Sequence, residues 1–222
     1  MKRMILLASC LTAVMAAAGC GTENGDAGAR TASAVEDAGT NTGTGTPLNA
    51  GLRLALPDTL GAGQYTRDAT APPPMTNGEA VQALITAGVG NPVLMNAVYR
   101  PAGDTGGALR IDGAYGALSD PAKARDTLLQ ILSKEDHSTP VERTARTILP
   151  AGATEPLVCQ IVVEKKSTQA EVLAPVCAWT DTSTTARVLR SGGTGNEIIG
   201  ARIDLDAYAA QVDRIRTEIR VR

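Results

Sequence analysis

Cys159 and Cys177 stand eighteen residues apart, and midway between them lies the most polar stretch nearby, Glu164-Lys165-Lys166-Ser167-Thr168-Gln169. Apolar runs flank it on both sides. If the polar stretch is a hairpin turn, the two cysteines face each other on adjacent antiparallel strands. Strand alternation then sets their neighbours. Leu157, Ile161 and Val163 share a face with Cys159, while Leu173, Pro175 and Trp179 share a face with Cys177. Trp179 falls opposite Leu157. The reading predicts a cross-strand disulfide, the single tryptophan and several aliphatics in one buried patch. Closing a loop of this size stabilises a fold by about 3 kcal/mol in the chain-entropy model. The rival reading, a redox-active pair, lacks Cys-x-x-Cys spacing and a basic neighbour to lower a thiol pKa.

This pairing presumes that the other two cysteines, Cys10 and Cys20, are otherwise engaged, and the start of the chain says how. Met1-Lys2-Arg3 is a short basic segment, and Met4 to Ala18 is an apolar run of secretory length, too short to span a bilayer comfortably. Ala17-Ala18-Gly19-Cys20 resembles a bacterial lipobox, with Ala17 where Leu is commonest. In that resemblance residues 1–19 are a signal peptide, removed with Cys10, and the Cys20 thiol carries a diacylglyceryl group. Leu7-Ala8-Ser9-Cys10 fits the lipobox letters better but would leave too short an apolar core. An ordinary signal peptide cut nearby is the other alternative. Two or three acyl chains hold a protein durably at a membrane, so Cys20 predicts attachment to the outer face. An exported chain also favours the Cys159–Cys177 disulfide.

Residues 20–46 follow as a Gly-, Ala- and Thr-rich stretch in which Val35 is the one sizeable aliphatic. It cannot bury enough apolar surface to offset the entropy of ordering, and reads as a tether. A flexible coil of this length spans on the order of 25–30 Å. Residues 47–222 suit a single domain. With no Phe, one Trp and four Tyr, its core must be built from Leu, Ile, Val and Ala. The formal charge is −2. Without Lys2 and Arg3 it is 19 basic against 23 acidic residues, about −4, unlike the basic footprint of a nucleic-acid binder.

Periodicity yields a coarse fold. Residues 53–67 read as irregular with a short strand. Thr76-Asn77-Gly78-Glu79 has capping-box spacing before a helix whose buried face is Val81, Leu84 and Ile85. Residues 93–100 and 108–114 read as a hairpin about Gly103–Gly107. Asp120-Pro121 starts a second helix with Ala124, Leu128, Ile131 and Leu132 inward. Strands over 157–164, 172–180 and 184–190 precede a last helix from about Asp204, with Leu205, Tyr208, Val212, Ile215 and Ile219 at helical spacing. The fold class expected is α+β, an antiparallel sheet with about three packed helices.

The segments VCQIVV, PVCAWTD and IDLDAYAAQVDRIRTEIRVR, together with YGALSDPAKARDTLLQIL, resemble a group of actinobacterial lipoproteins and secreted proteins of no assigned activity. The resemblance runs over about 110 residues from Tyr115. It departs at Thr185 and Ala186, where such proteins often carry Gly. It implies an extracytoplasmic domain and no particular chemistry.

A search for chemistry finds little. His137, the single histidine, sits in Lys134-Glu135-Asp136-His137-Ser138 with no second His to share a metal. No Gly-x-Ser-x-Gly turn accompanies it, and Ser133, Ser138, Ser167, Ser183 and Ser191 read as ordinary loop residues. The Gly-rich 191–200 segment lacks a P-loop lysine. Asp112, Asp120 and Glu135 lie in different elements, and no spacing makes them face one another as an acid pair. No catalytic residue, cofactor or metal ligand is assigned. The sequence therefore predicts a surface lipoprotein, attached to the membrane through Cys20, that binds an envelope protein or a small ligand. The alternatives are an extracytoplasmic hydrolase using His137, or an accessory sensor of an envelope signalling system.

Overall fold

The computed structural model describes residues 51–70, 78–103, 106–135, 138–141, 145–165, 171–191 and 203–222. Cys20, the tether, Thr76 and Asn77 of the capping box, His137, Ser167 and 192–200 lie outside them. In chain order the elements are β1 (Arg53–Leu54), β2 (Thr59–Leu60), β3 (Tyr65–Arg67), α1 (Gly78–Thr86), β4 (Val89–Pro101), β5 (Ala108–Leu118), α2 (Pro121–Glu135), β6 (Ser138–Pro140), β7 (Arg146–Ile148), β8 (Leu157–Lys165), β9 (Glu171–Thr180), β10 (Thr184–Ser191), α3 (Leu205–Ile219) and β11 (Arg220–Val221). This is the expected α+β class: a nine-stranded antiparallel sheet of order β2-β3-β4-β5-β10-β9-β8-β6, with β7 also on β8, and three helices. A two-stranded ladder joins β1 to β11.

The sheet is covered on both faces. Ile111, Val188, Cys177 and Cys159 form one cross-strand row, packed with Trp179 and Leu157 against Tyr208, Val212, Ile215 and Ile219 of α3. The opposite face takes α1 and α2. There Ala114 meets Ala80 and Leu84 of α1 and Ala124, Leu128 and Leu132 of α2. Val162, Ala174, Val176 and Leu189 form a further cluster beside Leu129. Each leucine buried this way contributes roughly 1.5–3 kcal/mol. An aliphatic core with few rings thus closes two layers over one sheet.

The β8–β9 hairpin has the register anticipated. Cys159 pairs with Cys177, and the two are disulfide-bonded. The same register continued by one residue sets Leu157 opposite Trp179, both buried. The patch does not extend along the whole hairpin: Leu173 is 38% exposed, because the strands run past the end of the packed core. On α1, Ile85 is likewise exposed, and Ala80 with Leu84 provides the buried face instead.

Two glycines shape the centre of the sheet. A Cβ on Gly113 would lie 2.6 Å from Leu54 Cδ1 and 2.7 Å from Ala186 Cβ, so its absence lets β1 cross β5 closely. Gly116 faces a bulge in β4 between Gly90 and Val93, where a Cβ would strike the Gly90 carbonyl. The buried phenols are satisfied by carbonyls. Tyr208 donates to Val188 O at 3.0 Å and Tyr99 to Pro57 O at 2.7 Å. Burial raises both pKa values, that of Tyr99 to about 12.

Candidate functional site

The Cys-Ala-Trp-x-Asp motif resolves into structural roles. Cys177 is cross-linked, Ala178 stands opposite Arg187 in the ladder, and Trp179 is 1% exposed in the core. Asp181 closes the β9–β10 turn by accepting Ser183 N at 2.6 Å, Thr184 N at 2.8 Å and Thr184 Oγ1 at 2.5 Å. Its second oxygen also meets Arg220 Nη1 at 3.1 Å, and the same guanidinium reaches Glu155 Oε2 at 2.6 Å. Arg216 donates to Glu155 O and pairs with Asp213. The arginines at the C-terminal end of α3 therefore tie the helix to the sheet end. A cleft of about 350 Å³ opens beside this network, lined by Arg125, Glu155, Thr180 and Asp181.

The carboxylates weighed as an acid pair do separate tasks. Asp112 is fully buried on the α2 side of the sheet and accepts from Arg187 Nε at 3.1 Å and Nη2 at 3.0 Å, with Arg110 Nε also 3.1 Å away. Asp120 caps α2 by accepting Lys123 N at 3.1 Å. Glu135 is the last residue of α2. Among the described residues no group of three or more His, Cys, Asp or Glu could hold a metal ion, and no helix is long and apolar enough to cross a membrane.

A groove of about 700 Å³ lies between α2 and the sheet edge formed by β6 and β8. Leu129, Pro140 and Val158 give it an apolar floor, and Ser133, Ser138 and Gln160 add uncharged polar groups. Asp126 and Lys134 are exposed on its rim. Register explains the convergence. Ser138 pairs with Glu164 and Pro140 with Val162, so both project from the same face as Val158 and Gln160, the face that α2 covers. Ser133 donates to Leu129 O at 2.8 Å, which uses its hydroxyl proton and leaves its oxygen as an acceptor.

Two serines read from sequence as ordinary loop residues are buried instead. Ser183 is 5% exposed and accepts Gly51 N at 3.1 Å; Ser138 is 6% exposed, in a strand. β6 and β7 lie against β8, which the sequence reading left without outer partners. The β-branched Thr139, Thr147 and Ile148 were the available signal, in stretches too short for a period-two pattern.

Fold and site together define an antiparallel α+β domain with one structural disulfide and a mainly apolar surface groove. No protein-family model, curated protein or solved structure matches the chain.

Proposed function

We propose that the chain is a membrane-anchored surface lipoprotein whose folded part is a binding or accessory domain of the cell envelope. The observation that carries the binding half is the groove on α2: aliphatic floor, uncharged hydroxyl and amide groups within, charges only at the rim. Such a lining favours holding a ligand by shape, desolvation and a few directed hydrogen bonds. The envelope half is supported by the Gly19-Cys20 junction and by the Cys159–Cys177 disulfide, a cross-link that persists in oxidising compartments. The role of Cys20 is to accept lipid, and residues 20–46 give the domain reach from the membrane.

Intact mass and membrane fractionation of wild type and Cys20→Ala test the anchor. Wild type is expected in the membrane fraction with a lipid mass on Cys20, and Cys20→Ala in the soluble fraction or unprocessed without that mass. A wild-type chain that carries no lipid yet fractionates as Cys20→Ala does would defeat the proposal.

A further inference from the structure

We infer that two copies of the chain join edge to edge through β4, with α1 of each copy covering the seam; the inference goes beyond the binding reading above and does not depend on the groove. Three observations point to it. The first is a gap in the sheet. β3 pairs only with residues 99–101 of β4, and Asp68 N donates to Val98 O just beyond them. That bond fixes the side to which the even-numbered residues of β4 turn their backbone groups, since residues two apart point the same way. The N–H and C=O of Leu94 and Asn96 therefore face outward, and among the described residues no backbone hydrogen bond reaches them from that side. At the other end Pro92 and the bulge between Gly90 and Val93 close the edge. The open stretch is residues 93–97.

The second is an apolar stripe above that gap. On α1, Ala80 and Leu84 face the sheet, while Glu79, Gln82, Ala83 and Thr86 line a cavity toward α2. At 3.6 residues per turn, Val81 and Ile85 fall on the side away from α2. Because α2 lies over β9 and β10, that side overhangs the β4 edge. Ile85 is 46% exposed there, and Val93, on the other face of the sheet, is 42% exposed. The third is charge and symmetry. Residues 89–98 carry no charged side chain, and the one on α1, Glu79, lies on the α2 side. Two copies therefore meet without facing like charges. A two-fold axis beside Met95, the centre of the open stretch, sets Leu94 opposite Asn96 of the second copy, and the pair exchanges backbone hydrogen bonds in both directions. α1 packs on residues of both β4 and β5, Val89 and Ala114 among them. The two α1 helices then lie two strand spacings apart, roughly 10 Å, which is helix-packing distance. Val81 and Ile85 meet their own counterparts, and Val93 is covered by Ala97 of the second copy. A foreign extended segment would satisfy the backbone but leave the α1 stripe bare.

The test is Met95→Cys in the full chain, oxidised in whole cells and then, after purification, at a series of concentrations. Side chains facing each other at such a position are within disulfide reach. The expected product is a dimer whose new disulfide maps to position 95 in both halves, whereas Gln64→Cys, exposed in the β2–β3 turn, stays uncross-linked. Asn96→Pro removes an outward N–H that the single copy does not use, and Ile85→Lys sets two like charges across the seam. Each, combined with Met95→Cys, should raise the concentration for half cross-linking roughly tenfold or more. Cys159 and Cys177 should remain closed to thiol label in both, which reports an intact fold. Cross-linking of Met95→Cys no greater than that of Gln64→Cys, a cross-link to a different protein, or undiminished cross-linking in either folded variant would each overturn the inference.

Discussion

Asp112 carries the steepest single-residue consequence in the fold. Its carboxylate and the Arg187 guanidinium are both at most 2% exposed, with Arg110 also against the carboxylate. Removing one member leaves a buried charge without its main counter-ion, which typically costs about 3–5 kcal/mol, whereas replacing both by apolar residues is near neutral. Asp112→Ala should accordingly lower the urea midpoint sharply, and Asp112→Leu combined with Arg187→Met and Arg110→Met should recover most of the loss. A midpoint for Asp112→Ala close to wild type would show that the pair contributes little. Nothing in the sequence marked this pair, because residues 75 positions apart meet only through the β5–β10 register. Ser138 escaped notice for a related reason: a serine beside charged residues looks solvated until a neighbouring strand covers it. Cys159, Cys177 and Trp179 were legible because a single hairpin, local in sequence, determines their relation.

At the scale of elements, long periodic segments were readable and short ones were not. The limits of β8, β9 and β10 and the starts of α2 and α3 agree with the sequence reading to within a residue or two, whereas β4 begins four residues before, and β5 ends four residues after, the hairpin strands read from sequence. β1, β2, β3, β6 and β7 have two or three residues each and owe their pairing to the long strands they lie against. The α3 start was the clearest local signal. Asp204 accepts from Asp206 N and Ala207 N at 3.0 Å each, satisfying two of the first-turn donors. Asp204→Ala should therefore cost about 1 kcal/mol, with Asp204→Asn retaining nearly all of the wild-type stability. Chemical denaturation of the two variants side by side measures it, and equal losses in both would point to the charge rather than the cap.

For the whole molecule, the cross-link joins β8 to β9 beneath α3, so its removal is felt where that helix packs on the sheet. Replacing Cys159 and Cys177 together by Ala should lower stability by about 2–4 kcal/mol, from loop entropy regained by the unfolded chain and from packing lost beside Trp179. The denatured wild-type chain should take up no thiol label at these positions until a reductant is added; labelling of both without reductant would contradict the pairing. The class, an antiparallel sheet with three helices, followed from the order of periods along the chain. That helices cover opposite faces did not, since the sheet face each helix takes depends on strand order rather than on any helix's own stripe. The groove was illegible for the same reason: α2, β6 and β8 supply its walls from three separate stretches.

The pairing of Arg53 with Val221, strengthened by Arg53 Nη2 donating to the Arg222 carbonyl at 3.2 Å, brings the beginning and the end of the folded part side by side. The polypeptide is thus nearly a ring. A few added residues could join the two ends of the described fold, with new termini opened in the connection from β4 to β5. A reporter fused after Arg222 would sit beside β1 and leave the mouth of the α2 groove unobstructed by its linker.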